Sequence, residues 1–174
     1  MAVAVLGYAI PIFFLGILLI LLFALKLRVL PSAGSETPWH LILPVVTLAL
    51  PLAGRLARFS RTATLEVLGK PFIRAARARG VMPLSVVLRH ALPNAAVPLL
   101  MFIGIEIGHI LAGSAVVETI FAWPGIGRLV IDAIGSRDYP VIQATVLVGS
   151  VVFVLASLAA DIAYGVIDPR VRSA

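Results

Sequence analysis

The chain has 174 residues; 61% are Ala, Val, Ile, Leu, Met, Phe, Trp, Tyr or Cys, 13% are charged, and the formal net charge is +6. A soluble domain is about 45–50% apolar and about 25% charged. With a mean hydropathy of +1.10, this chain has too little polar surface to coat a water-soluble globule. That composition argues against a soluble enzyme and against a disordered tail. The absence of cysteine removes disulfides, thiolate metal sites and a cysteine nucleophile. The chain reads as an integral membrane protein.

Each crossing takes about 20 mostly apolar residues. The first predicted span, 3–25, carries no charge, and it lacks the basic start and clear cleavage site of a signal peptide. The second, 39–59, extends the short uncharged run Leu41 to Gly54, so that Arg55 and Arg58 lie near one end. Their long stems can snorkel to the interface. The third, 91–117, contains Glu106 and His109; the fourth, 139–164, is uncharged as far as Asp161. Continuous apolar runs such as Phe13 to Leu25 lack the roughly ten-residue alternation of a barrel. The expected fold is therefore all-α, a polytopic helical bundle of about four spans.

Lysine and arginine set the orientation. With both termini inside, ten of them fall on the cytoplasmic side and four outside; the reverse topology inverts those totals. The first span disobeys the rule when taken alone, because Lys26 and Arg28 follow its outer end. The net positive charge is the ordinary positive-inside signal and needs no nucleic acid to explain it.

The cytoplasmic loop, 60–90, carries most of that charge. Phe72 to Arg79 reads as a short helix with Pro71 at its start and Gly80 at its end. Pro83 opens a second short helix through Leu88, and Leu92-Pro93 marks a break before the third span. Two short helices joined at a glycine make a knob below the membrane. The low bulk of Ala75, Ala76 and Ala78 would let another protein approach closely. The alternative is a basic loop lying on anionic headgroups.

The spacing favours the knob. Arg74-Ala75-Ala76, three residues, Gly80, nine residues, then His90-Ala91-Leu92-Pro93 resembles the EAA loop of binding-protein-dependent ABC importers. Arg74 stands where that motif has glutamate, and His90 where it has isoleucine. The stretches 72–80 and 89–94, Val116 to Gly127, Arg137 to Pro140, and Asp168 to Arg172 are similar in order and spacing to the dipeptide/oligopeptide/nickel permeases. Ile10 to Gly16 and His40 to Pro44 extend the likeness over nearly the whole chain.

The resemblance implies a multi-pass permease of the inner membrane. It would pair with a second homologous permease, two cytoplasmic ABC ATPase subunits and an extracytoplasmic solute-binding protein. It would need no cofactor of its own, since ATP is bound by the ATPase. Arg74, Ala75, Ala76, Gly80, Leu92 and Pro93 would couple it to that ATPase, and peptides or nickel chelates would be the solutes. By the same likeness the chain begins at the third span of the family. That leaves as the alternative a truncated, non-transporting fragment or an assembly subunit.

Inside the membrane, Glu106 and His109 share a helix face and are candidates for the translocation path. At about 100° per residue, Gly104, Gly108 and Ala112 form a small-residue stripe roughly 130° away, suited to close helix packing. A polar helix–helix contact is the other role open to Glu106 and His109, and Asp161 suits interfacial capping. On the outer side, Phe121-Ala-Trp-Pro-Gly125 places two aromatics at the interface. An amphipathic helix follows, with Leu129, Val130, Ala133 and Ile134 on one face and an Arg128–Asp132 pair on the other. It could receive a solute-binding protein or simply lie on the leaflet. Enzyme signatures are missing: Gly69-Lys70 is no phosphate loop, no Gly-x-Ser-x-Gly elbow occurs, and His40, His90 and His109 fall on separate segments. No catalytic or metal-ligating set is expected.

Overall fold

The computed structural model describes residues 10–167, except the side chains of 109, 111–113, 161, 163, 164, 166 and 167. The described chain is helical, with no strand. Helix α1 is Ile12–Lys26, α-helical over Ile12–Leu19 and wound as a π-helix over Ile20–Lys26. Helix α2, Pro38–Leu68, opens with a 3₁₀ turn at Pro38–Leu41. The short α3 is Pro71–Ala78. Helix α4 covers residues 83–120, α5 is Ile126–Ser136 and α6 is Tyr139–Ile167.

Three described helices are long and apolar enough to cross a membrane: Pro38–Leu68, Pro83–Gly108 and Tyr139–Ala160. Helix α1 is shorter, and residues 3–9 of the predicted first span lie outside the described residues. Helix α2 continues well past residue 59. Its 31 residues measure about 46 Å at 1.5 Å per residue, against a hydrocarbon core of about 30 Å. It is longer than a single perpendicular crossing needs.

The break expected at Leu92-Pro93 does not occur. Helix α4 starts as one turn at Pro83–Ser85, loosens to π geometry over Val86–Ala91, and continues as Leu92–Ile120. Proline removes one backbone donor and crowds the preceding turn. Here the widened turn directly precedes Pro93, and the Asn94 side-chain amide donates to the His90 carbonyl at 2.8 Å. A π-bulge absorbs what would otherwise end the helix.

Helix α4 is the hub, packing on α1, α2, α5 and α6. Against α2 it runs antiparallel, and the register can be followed along the seam. Leu43 shares a core with Val117 at the end farthest from α3. Arg55 then meets Glu106, and the Phe59 ring stacks on Phe102 with centroids 4.4 Å apart. At the end nearest α3, Ala63 and Val67 join Ala91 and Ala95. Against α6, Gly104 faces Ala160 and Gly108 faces the Phe153 ring. Gly104 and Gly108 thus lie against the last helix; the side chain of Ala112, the third residue of the expected stripe, lies outside the described residues. Much of α6 is exposed and apolar, including Leu147, Val154, Leu155 and Ile162, as a lipid- or protein-facing helix requires.

Candidate functional site

The knob formed by α3 and the start of α4 is built as its sequence demands. Lys70 is extended, Pro71 supplies the first helical residue without wasting a donor, and α3 runs to Ala78. Gly80 then takes φ +80°, a left-handed conformation that side chains resist. Its N–H donates to the Arg77 carbonyl at 2.9 Å, and the Val81 N–H reaches back to Ala76 at 3.3 Å. The chain turns sharply and enters α4 at Pro83.

Burial decides which knob residues can meet a partner. Ile73 is 0% exposed and Ala76 is 1% exposed. They form one apolar core with Ala63 and Val67 of α2 and Val86, Ala91 and Ala95 of α4. Ala76 therefore offers no surface: its small side chain lets α3 press against the two long helices. Arg74, Ala75, Arg77 and Ala78 point outward, and Leu92 and Pro93 are exposed on the flank of α4. The knob is not a separate loop. It shares its core with the ends of α2 and α4.

The intramembrane charges are arranged differently from the snorkelling expected of Arg55. Its Nε donates to both Glu106 oxygens at 3.0 and 3.1 Å, and its Nη2 donates to Oε2 at 2.6 Å. The Arg55 side chain is 31% exposed and that of Glu106 only 6%. A charge in the bilayer is costly unless it is paired, so the guanidinium turns inward to a carboxylate rather than outward to water. Glu106 makes a polar helix–helix contact with α2. The His109 and Asp161 side chains lie outside the described residues.

At the end of the bundle opposite the knob, Phe121 is 1% exposed and sits in a core with Leu43, Val117 and side chains of α1. It is a packing residue, where the sequence placed it at the interface. The Phe121 carbonyl also accepts the Gly34 N–H at 2.9 Å, tying down the segment between α1 and α2. Sequence reasoning passed over Glu118. Its carboxylate accepts the Arg128 backbone N–H at 2.8 Å, capping the first turn of α5 and placing negative charge at the positive end of that helix. The predicted Arg128–Asp132 pair forms at 3.8 Å between well-exposed side chains and contributes little. A shallow depression of about 420 Å³ lies beside α5, lined by Pro124, Gly125, Ile126, Arg128, Leu129 and Asp132.

The chain matches the family "binding-protein-dependent transport system inner membrane component" over residues 1–173. It is 45% identical over 172 residues to the glutathione transport system permease protein GsiC of Escherichia coli K12, covering 99% of this chain and 56% of that one. The Salmonella choleraesuis protein of the same name gives the same identity and coverage. The chain thus spans about half the length of the curated relatives it matches. Crossing-length apolar helices and a match along almost every residue lead to one assignment: the chain belongs to the inner-membrane component family of binding-protein-dependent transport systems.

Proposed function

We propose that the chain is a membrane permease part of an ATP-driven importer, forming one section of a translocation path and taking its stroke from a cytoplasmic ATPase through residues 60–90. The observation that carries this reading is the shared core of the knob. Ile73 and Ala76 are packed with Ala63, Val67, Val86, Ala91 and Ala95, so a push on the exposed tip reaches α2 and α4 without slack. Arg74, Ala75 and Ala78 form that tip, Gly80 sets its turn, and Leu92 and Pro93 flank it.

In this reading both termini are cytoplasmic, ATP is bound by partner ATPase subunits, and a second homologous permease completes the path. An extracytoplasmic solute-binding protein delivers solute near α5. A small peptide or a nickel chelate is the solute. Glutathione, named for the relatives, is itself a peptide, which supports the peptide side. The test is uptake by proteoliposomes holding this chain, the second permease and the ATPase, with the binding protein added outside. Labelled glutathione, a dipeptide and a nickel chelate are offered in turn. Accumulation of one of them that requires both ATP and the binding protein is the expected result. An assembled, ATP-hydrolysing complex that accumulates none of them overturns the reading.

A further inference from the structure

We infer that the Arg55–Glu106 pair is a register lock, holding α2 and α4 against lengthwise sliding so that motion of the knob moves both helices as one body. The inference rests on the permease reading for its functional consequence, but its structural content stands apart from it.

The seam between the two helices explains why a lock is needed. At its ends the contacts are apolar: Leu43 with Val117 far from α3, and Ala63, Val67, Ala91 and Ala95 near it. Phe59 lies flat on Phe102, with ring planes 10° apart. Apolar contact is non-directional, so the packed ends hold the two helices together without by themselves fixing one lengthwise register. A bidentate carboxylate–guanidinium pair does fix it, because its hydrogen bonds set both distance and angle. Three donor–acceptor contacts between 2.6 and 3.1 Å hold the pair, one turn from the Phe59–Phe102 stack. Any slip would leave Glu106, with its side chain only 6% exposed, as an uncompensated charge.

The load falls on this seam. Helix α2 enters the knob and α4 leaves it, so a force on α3 shears one helix against the other. The pair lies between the two apolar cores, where it resists that shear. Arg55 and Glu106 are positioning residues in this account: they need touch neither solute nor ATP.

Two measurements test the lock, and only one depends on transport. In nanodiscs, F59C/F102C should form a disulfide readily in the otherwise unchanged chain. Adding R55M/E106M should slow that disulfide at least five-fold, and adding the swap R55E/E106R in its place should restore most of the rate. Equal rates with and without the pair overturn the lock. In the assembled transporter, R55M/E106M should lower solute taken up per ATP hydrolysed at least five-fold, with recovery in the swap. A loss of folded protein with no change in that ratio also overturns it, since the pair would then merely stabilise. If the wild-type complex transports nothing, the permease reading fails while the disulfide result still judges the lock.

Discussion

The Glu118 carboxylate caps the N-terminus of α5 by accepting the Arg128 backbone N–H at 2.8 Å, across ten residues of chain. Two glycines make room for this contact. A Cβ at Gly125 would run into the Glu118 carboxylate, and one at Gly127 would run into the backbone of Ala115. Because backbone cannot swing aside as a side chain can, G127A should be the more damaging change, costing about 1–3 kcal/mol as overpacking does. E118Q keeps an acceptor and should be milder than E118A. Thermal unfolding in detergent, with proteolysis of the segment joining α4 to α5 as a local probe, ranks the variants.

The knob core gives a second prediction. Ile73 is fully buried, so I73A should destabilise by about 2–5 kcal/mol. A75S, on the opposite and exposed side of α3, should change stability by less than about 0.5 kcal/mol. Limited proteolysis at the loop reads this directly: I73A should be cut early, A75S no faster than the parent chain.

Gly80 has open space around its missing side chain but φ +80°. The cost of G80A is therefore conformational, about 1–2 kcal/mol, and no neighbouring truncation should relieve it. G80N should recover part of the loss, since asparagine tolerates the left-handed region. Stability measurements on the two variants, alone and with F72A, distinguish strain from a clash.

Gly108 presents the opposite case. Its added Cβ would lie 2.9 Å from the outer edge of the Phe153 ring, which can turn away. G108A should cost under about 1.5 kcal/mol, whereas G108L should force α4 and α6 apart. F153A should partly rescue G108L. Intramolecular crosslinking between cysteines placed on α4 and α6 reports the separation.

The sequence showed most plainly what depends on local composition. The uncharged run of α6 and the proline start and glycine end of α3 stand as expected. Helix α2 beyond residue 59 was hidden because Ser60, Arg61, Thr62 and Glu66 lower its hydropathy. Its helical signal was nonetheless present as Phe59, Ala63 and Val67 at intervals of four, the face that meets the knob. Arg55 and Glu106 were each legible as costly charges, but they are 51 residues apart and only the antiparallel register joins them. Ala76 looked like an accessible small residue because composition carries no direction; the turn at Gly80 folds it inward.

The chain's lack of cysteine makes the proposed coupling surface directly testable. Single-cysteine A75C and A76C chains, in native membranes containing the partner subunits, are treated with a short thiol-reactive crosslinker and the captured protein is identified by mass spectrometry. The account predicts an ABC ATPase captured from exposed position 75 and little or none from buried position 76. Absence of the ATPase at position 75, with that subunit present in the same membranes, would contradict the proposal that residues 60–90 drive this permease.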